Sequence, residues 1–414
     1  MIRSIEGLRG LAALLVALFH AYVYGKWGGQ PAGWGVLQHA WLFVDLFFVI
    51  SGFVMAAAYA DRLQTPAMLG SYLVRRFFRL YPLHIVTTVA VILAALGVQT
   101  AKWLLARHGV VLGGAAPFAV PFFDPGYFGL EVLLLQGVGI LQMEIHNYPA
   151  WSISVEFWMY LVFGLVMMLV RTRWLRVAFS LAMVALCVAY FLRIWSSLAP
   201  AGVTLDVQGL PRGLLSFFLG VLSCHAWQWI GAGRARAAPT APTASVASVA
   251  PTSDGRAALG IAQVAALGLA QVAAVGLALF LVGRQDQLGA AQLAIPFAFA
   301  GLLLTLLPDR GLIARWLQTR PMQWLGLHSY AIYLTHITVY TVLDWPGRVI
   351  PEPAKHLVGL LFVAVVLALS ALCYRHIEVP WRERGKRIAR RLEHGWAGRR
   401  TPAANPRATG APFA

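Results

Sequence analysis

Ten stretches of mostly apolar residues, each about 18–26 residues long, run through this chain. A helix rises about 1.5 Å per residue, so each stretch can cross the roughly 30 Å hydrocarbon layer of a bilayer. Only 12% of the 414 residues are charged, whereas soluble domains carry about 25%. The pattern predicts an all-α polytopic integral membrane protein with about ten transmembrane helices. The predicted spans are 8–25, 40–60, 81–98, 152–170, 175–193, 211–230, 257–282, 290–307, 323–342 and 356–375.

Lysine and arginine residues are distributed unevenly between the segments that join these spans. With ten spans both termini lie on one side of the membrane, and the segments on that side hold 25 of the 33 Lys and Arg residues. Cytoplasmic segments of membrane proteins are enriched in positive charge, so both termini are predicted to be cytoplasmic. The same bias explains the net charge of +17 through contact with anionic membrane lipids, without a nucleic-acid partner.

Three segments depart from the pattern of apolar spans. Residues 231–256 are rich in Ala, Pro, Thr and Ser and are predicted to form a disordered cytoplasmic linker inside a transmembrane domain over 1–385. Residues 386–414 are a cytoplasmic tail that begins basic and becomes rich in Pro and Ala. Residues 127–142 are apolar but short, which suits an interfacial or re-entrant piece. The three cysteines all lie in apolar segments, so neither a disulfide framework nor a metal site is predicted.

Arg9 and His20 are ionisable residues on one face of the first predicted span. Eleven steps of about 100° bring His20 to within roughly 20° of Arg9 around the axis, about 16 Å deeper in the bilayer. An ionisable group at that depth is costly and marks a functional site, and an imidazole exchanges its proton near neutral pH. His20 is therefore a candidate general base. Arg9 either faces the same site or only pairs with Glu6.

Three arginines, Arg75, Arg76 and Arg79, precede the third predicted span. Arg76 and Arg79 are three positions apart and share one face of a helix. Guanidinium groups bind phosphates through paired hydrogen bonds, so this cluster is a candidate site for a phosphate-bearing cofactor. Ordinary anchoring of the span by positive charge at the inner membrane surface explains the same residues equally well.

A polar cluster opens the fourth predicted span. Ser154, Glu156 and Tyr160 are predicted to face the outer side, and Glu156 and Tyr160 are four positions apart on one helical face. Such a cluster could hold a hydroxyl-rich substrate, with Glu156 as a candidate catalytic carboxylate. The alternative is a helix cap, in which the positive end of the helix favours Glu156.

Two further spans carry polar residues in their outer parts. Tyr333 and His336 belong to a polar stripe on the ninth span, where a lone histidine is otherwise explained by packing. Asp45, on the second span, either orients an imidazole or caps the start of its helix. These three residues are candidates for binding the second substrate.

Taken together, five short motifs resemble membrane acyltransferase family 3, which includes O-antigen and exopolysaccharide acetylases. The family's motifs appear in order over about residues 1–385. They are Arg-x10-His from Arg9 to His20, Phe-Phe-x-x-Ser-Gly-Phe at 47–53, Arg-x-x-Arg followed by Tyr-Pro from Arg76 to Pro82, Trp-Ser-x-x-x-Glu from Trp151 to Glu156, and Tyr-x-x-His from Tyr333 to His336.

The resemblance implies that acyl-CoA, with acetyl-CoA as the default, binds from the cytoplasm and that a glycan or lipid-linked sugar accepts the acyl group from outside. It implies that His20 and Arg9 are essential and that Arg76 and Arg79 matter. The expected location is the inner membrane of a bacterium, and the oligomeric state, a homodimer included, stays open. The alternatives are a transporter of a lipid or polysaccharide precursor and, as a weaker reading, a membrane sensor that binds sugars.

Overall fold

The computed structural model describes residues 2–24, 27, 35–109, 124–139, 146–198, 209–237 and 261–397. These residues form helices joined by turns, and no β-strand occurs among them, so the predicted all-α class is confirmed. The α-helices are α1 (Arg3–Phe19), α2 (Gly35–Gln38), α3 (Phe43–Tyr59), α4 (Pro66–Arg107), α5 (Pro125–Val132), α6 (Trp151–Leu169), α7 (Arg173–Leu198), α8 (Gly209–Ala237), α9 (Ile261–Gly283), α10 (Gln285–Leu288), α11 (Ala294–Leu306), α12 (Leu312–Leu317), α13 (Arg320–Val349), α14 (Glu352–Cys373) and α15 (Val379–Ala397).

Each predicted span overlaps a helix over its described residues. Within the described ranges, nine helical segments are long and apolar enough to cross a membrane, which confirms a polytopic membrane protein. The predicted span 323–342 also lies in a long helix, α13, but is not one of these nine. Its sequence is less apolar because it carries the polar residues His328, Ser329 and His336. The side of the membrane on which the termini lie stays a prediction.

The helices divide into a buried centre and an exposed periphery. The side chains of α1 and α3 are mostly buried, whereas α7 and α9 expose most of theirs. The exposed side chains of α7 and α9 are largely apolar, with Leu186 64% and Leu269 72% exposed. A helix that is hydrophobic on every side suits contact with lipid, so α7 and α9 line the outside of the bundle.

The central helices α1 and α13 cross at close range through two glycines. A Cβ atom added to Gly10 would lie 2.3 Å from the backbone nitrogen of Gly326, a distance that no side chain allows. Small residues at a helix crossing let the two backbones touch. This crossing brings residues near the end of α1 beside the second half of α13, where the candidate site lies.

Two helical segments are much longer than a bilayer requires: helix α4, and the continuous segment formed by α14 and α15. With 42 residues, α4 extends over roughly 63 Å, about twice the thickness of the hydrocarbon layer. A π-helical turn over Tyr374–Glu378 joins α14 to α15, and α15 packs along the first half of α4. The predicted domain boundary at residue 385 therefore falls inside a packed helix. Residues 398–414 of the predicted tail lie outside the described residues.

The other two irregular segments are described in part. Helix α8 continues to Ala237, inside the predicted linker 231–256, and the rest of that linker lies outside the described residues. The short apolar piece at 127–142 forms α5 and then turns at Leu134, which has a φ of 55°. The carbonyl of Leu134 accepts a hydrogen bond from Trp158 Nε1 at 2.8 Å. The piece thus folds back against α6, up to Gly139 where its description ends.

Candidate active site

A cavity of about 640 Å³ lies among α1, α3, α4, α6, α13 and α15. At one end, called the basic end, Arg3 is exposed and the side chain of Lys386 is 44% exposed. At the other, called the buried end, Ser152 and Tyr333 are 4% and 5% exposed. The cationic side chains that line the cavity come from three helices and are Arg3, Arg9, Arg75, Arg76, Arg79, Arg382 and Lys386.

The three predicted arginines of α4 all line this cavity, but their partners differ. Arg75 pairs with Glu393 at 3.1 Å, and Arg79 pairs with the fully buried carboxylate of Glu378. Arg76 instead donates a hydrogen bond from Nη2 to the hydroxyl of Tyr59 at 3.0 Å. Its guanidinium also lies 5.2 Å from the centre of that ring. Arg76 is thus held by an aromatic ring and a hydroxyl and keeps its positive charge available to an anion.

Arg9 lines the same cavity and also approaches Glu6. The shortest distance between the two charged groups is 4.0 Å, at the limit for an ion pair, and the Arg9 side chain is 28% exposed. An exposed pair at this distance contributes little to stability. Arg9 therefore lines the cavity and also has a weak partner one turn away, and its role in the site stays a prediction.

Glu156 lines the cavity with Ser51 and Tyr160, and the three side chains form one hydrogen-bonded cluster. The hydroxyl of Ser51 donates to Glu156 Oε1 at 2.6 Å, and the Tyr160 hydroxyl donates to the same oxygen. The Arg76 guanidinium lies 5.8 Å from the centre of the Tyr160 ring. The carboxylate cluster and the arginines, which the sequence assigned to opposite sides of the membrane, therefore share one cavity.

Tyr333 closes the buried end of the cavity together with Ser152. Its hydroxyl donates to the carbonyl of Pro149 at 3.0 Å and lies 2.9 Å from Ser152 Oγ. The ring of Phe47, also part of the lining, packs edge-on against Tyr333 at 5.7 Å. These contacts fix the Tyr333 ring, whose other neighbour is His336 at a centroid distance of 6.0 Å.

His20 and His336 form a buried pair beside this end of the cavity. Nε2 of His336 lies 3.3 Å from Nδ1 of His20, and the two ring centroids are 4.9 Å apart. His20 is the first residue of a π-helical turn, His20–Tyr24, a local feature frequent at functional sites. Neither histidine is part of the described cavity lining, and Tyr333, which is part of it, packs beside His336.

The hydrogen bonds of the pair fix the position of each proton. The carbonyl of Val16, 3.0 Å from His20 Nδ1, can only accept, so Nδ1 carries the hydrogen and Nε2 the lone pair in the neutral ring. The carbonyl of Ile332, 3.3 Å from His336 Nδ1, can likewise only accept, so Nδ1 of the second ring carries the hydrogen and its Nε2 the lone pair. With both rings in these tautomers, the one hydrogen on His20 Nδ1 is shared between the carbonyl of Val16 and Nε2 of His336, 3.3 Å away. The lone pair of His20 Nε2 has the character of a base.

Two predicted substrate-binding residues lie elsewhere. Ser154 donates to the carbonyl of Leu134 at 2.6 Å and accepts from the backbone nitrogen of Gly137 at 3.1 Å. Positions two apart on a helix point about 200° apart, so Ser154 faces away from the cluster around Glu156. Grouping Ser154 with Glu156 and Tyr160 was wrong, because it anchors the turn after α5.

Asp45 is fully buried in an ion pair with Arg212, which is 1% exposed. Its carboxylate accepts from Arg212 Nε at 2.9 Å and from the Ser216 hydroxyl at 3.1 Å. The guanidinium of Arg212 also lies 4.6 Å from the centre of the Trp41 ring. Asp45 thus anchors α3 to α8, and Arg212 is a core residue.

Sequence reasoning missed several residues of the site. Ser51 belongs to a quoted motif but was not singled out, although a serine in an apolar span is a visible signal. Lys386 was assigned to the tail and Arg382 to the end of the transmembrane domain. The available signal was their spacing of four on a basic amphipathic segment. Glu378 and Glu393, the partners of Arg79 and Arg75, gave no comparable signal, because their pairing depends on how α15 packs.

The comparisons with known proteins identify the family of the chain. The model of an acyltransferase domain, that of acyltransferase family 3, matches residues 2–375. Over 91% of its length the chain is 27% identical to the membrane-bound transacylase BcsY of Komagataeibacter xylinus, of which the match covers 82%. It is 29% identical over 81% of its length to the acyltransferase MdmB of Streptomyces mycarofaciens, covering 78% of that protein.

A third relative is longer than this chain. The peptidoglycan O-acetyltransferase OatA of Listeria monocytogenes is 23% identical over 92% of the chain, which spans 56% of the OatA sequence. No solved structure matches. Because the family match covers most of the sequence, the chain belongs to acyltransferase family 3, a family of membrane acyltransferases.

Proposed function

We propose that this protein moves an acyl group, acetyl by default, from acyl-CoA to a hydroxyl of a glycan or lipid-linked sugar. One observation carries the proposal: a single cavity joins the basic end, the Glu156 cluster and Tyr333, and Tyr333 contacts His336 of the histidine pair. A long, phosphate-bearing thioester needs such a combination: the basic end for its phosphates, and the buried end, next to a base, for its thioester. The acetyl group is also supported by the name of the Listeria relative.

The basic end of the cavity is suited to the phosphates of coenzyme A. Arg76 keeps its charge without a carboxylate partner in the described contacts, and Arg9 is only weakly paired. A guanidinium binds phosphate oxygens through two parallel hydrogen bonds. In this proposal Arg9, Arg75, Arg76 and Arg79 bind the donor, with Arg75 and Arg79 also held by their glutamates.

Glu156 has a role in positioning the donor. Ser51 and Tyr160 donate to its carboxylate and fix its orientation inside the cavity. The pantetheine arm of coenzyme A carries amide and hydroxyl donors that a fixed carboxylate can accept. A donor bound with its phosphates near Arg76 would pass Glu156 on the way to Tyr333.

His20 is the proposed general base. Its Nε2 accepts the proton of the acceptor hydroxyl as the oxygen attacks the thioester carbonyl carbon. The C–S bond then breaks, and the protonated ring returns the proton to the departing thiolate of CoA. His336, which accepts from His20 Nδ1, keeps the basic nitrogen of His20 in place.

The location follows from Arg3 together with the charge distribution. Arg3 lies next to the N-terminus and lines the basic end, so this end faces the side on which the N-terminus lies. The excess of positive charge supports a cytoplasmic position for that side, where the donor is made. We propose the cytoplasmic membrane of a bacterium, with the acceptor approaching from outside and His336 and Tyr333 at the meeting point.

The test uses the full chain in lipid nanodiscs with acetyl-CoA and a panel of exopolysaccharide, peptidoglycan fragments and lipid-linked sugars. The expected result is release of free CoA together with an acetyl ester on one acceptor, read by mass spectrometry. Movement of a sugar precursor across a liposome membrane without CoA release would favour a transporter. Binding of sugars with neither transport nor ester formation would favour a sensor.

A further inference from the structure

Helix α15 begins after residue 375, where the match to the family ends, yet it packs on the helix that carries the donor-binding arginines. The two helices run antiparallel. Arg79 pairs with Glu378 near the start of α15, and Arg75 pairs with Glu393 near its end. The two glutamates are more than a dozen positions apart and the two arginines are four apart, so these ion pairs hold both ends of α15 to one part of α4.

The contact between the two helices is close at its middle. A Cβ atom added to Gly385 would lie 2.4 Å from Cβ of Phe78. The ring of Phe78 also packs on Trp381, with 5.9 Å between the ring centroids. Ala389, one turn further, is fully buried. Small side chains on one face of α15 therefore let it lie directly against α4.

This packing places Arg382 and Lys386 in the cavity lining. The two residues are four positions apart and share one face of the helix. Nε of Arg382 is buried and has no hydrogen-bond partner among the described residues. A buried donor without a partner is costly, and an anion would supply the acceptor. Lys386 pairs with Glu383 at 2.7 Å, but both side chains are more than 40% exposed, so water screens this pair.

The charge at this end of the cavity depends on α15. Glu378 and Glu393 offset the charges of Arg79 and Arg75. Arg382 and Lys386 restore the positive charge there. A donor that lies extended, with its thioester at the buried end, brings its nucleotide to these two residues.

We propose that α15 completes the donor site and that Arg382 and Lys386 bind the phosphate on the ribose of coenzyme A. The inference rests on the proposed function, because it takes acyl-CoA as the donor. It assigns to a helix beyond the family's matched region the recognition of one phosphate. The chemical class of the ligand is a nucleoside 3′-phosphate attached to the donor.

The experiment compares acetyl-CoA with acetyl-dephospho-CoA, which lacks that phosphate, in the wild type and in an Arg382→Ala, Lys386→Ala double variant. The variant should raise the KM for acetyl-CoA by about tenfold or more, the loss expected for a charge-assisted contact. The KM for acetyl-dephospho-CoA and both kcat values should stay unchanged. The matched control is Arg390→Ala, Arg391→Ala, which removes two exposed charges of α15.

These measurements distinguish failure of the role of Arg382 and Lys386 from failure of the proposed function. Equal KM changes with both donors, or no change with either, would overturn the role of Arg382 and Lys386. Arg382→Lys should keep part of the preference for acetyl-CoA over acetyl-dephospho-CoA that the double alanine variant loses. A folding defect would not allow this partial recovery. If the wild type neither binds nor cleaves acetyl-CoA, the proposed function itself fails, whatever the variants do. Direct binding of 3′,5′-ADP, measured by calorimetry, should weaken in the double variant and not in the control.

Discussion

Nε2 of His336 lies 3.3 Å from Nδ1 of His20, although the chain separates the two residues by 316 positions. The crossing of α1 and α13 creates this contact. Backbone carbonyls on both helices orient the two rings so that His20 Nε2 keeps its lone pair. This histidine pair, beside the buried end of the cavity, is the central feature of the proposed site.

Substitution of His336 tests its action through His20. His336→Gln should lower kcat between about fivefold and thirtyfold, the effect of one or two kcal/mol from a lost hydrogen bond, and leave the donor KM unchanged. The matched control is His328→Gln on the same helix, where the imidazole stacks on Trp324 at 4.1 Å. An equal loss of kcat in both variants, or a raised donor KM in His336→Gln, would contradict the positioning role.

Arg76→Ala should raise the KM for acetyl-CoA by about tenfold or more, since a hydrogen-bonded charge is lost. The penalty should shrink as salt rises, because ions already screen the contact in the wild type. Arg62→Ala, which removes an exposed arginine before α4, serves as the control. If Arg76→Ala changed only expression or topology, anchoring of the span would be the correct explanation.

Glu156→Gln should reduce kcat/KM for the donor, because Ser51 and Tyr160 lose a charged acceptor that fixes the side chain. Ser154→Ala, two positions away, should leave kcat/KM unchanged. It should cost about 1 kcal/mol of unfolding free energy, because Leu134 and Gly137 lose one partner. Steady-state kinetics and thermal unfolding in detergent measure the two effects. A loss of kcat/KM in Ser154→Ala, with unchanged kcat/KM in Glu156→Gln, would instead support the predicted substrate-binding role of Ser154.

Asp45 is expected to act on stability. Asp45→Ala should destabilise the fold by about 3–5 kcal/mol, since Arg212 would be left as a buried charge without its carboxylate. Arg212→Ala should have a similar effect, and the double variant should cost less than the sum of the two. A stable Asp45→Ala variant with a raised KM for the acceptor would instead support the predicted substrate-binding role.

Much of the fold could be predicted from the sequence, because apolar length alone determines what can span a bilayer. The ends of the helices could not: α4 was predicted as 81–98 but begins at Pro66, since its first half packs against α15. In the site, Arg9 and His20 were predicted from helical geometry. The partners His336 for His20 and Arg212 for Asp45 depend on which helices cross, and helical periodicity carries no such information.

The order of the chemical steps is also testable. Direct transfer predicts that CoA is released only when an acceptor is present. A single-turnover experiment with radiolabelled acetyl-CoA, followed by precipitation of the protein, measures both CoA and any bound acetyl group. One equivalent of CoA released without an acceptor, with the label retained on the protein, would replace direct transfer by an acyl-histidine intermediate.

The most direct measurement is the rate of acetyl transfer by His20→Ala in nanodiscs, compared with the wild type and with His39→Ala. His39 lies before α3, is not one of the residues that line the cavity, and has its Nε2 2.8 Å from Asp286 Oδ2. The account predicts that His20→Ala folds, binds acetyl-CoA with unchanged affinity and loses about 10²–10⁴-fold in kcat, as for removal of a general base, while His39→Ala stays active. Retained transfer by a folded His20→Ala would remove His20 from the mechanism.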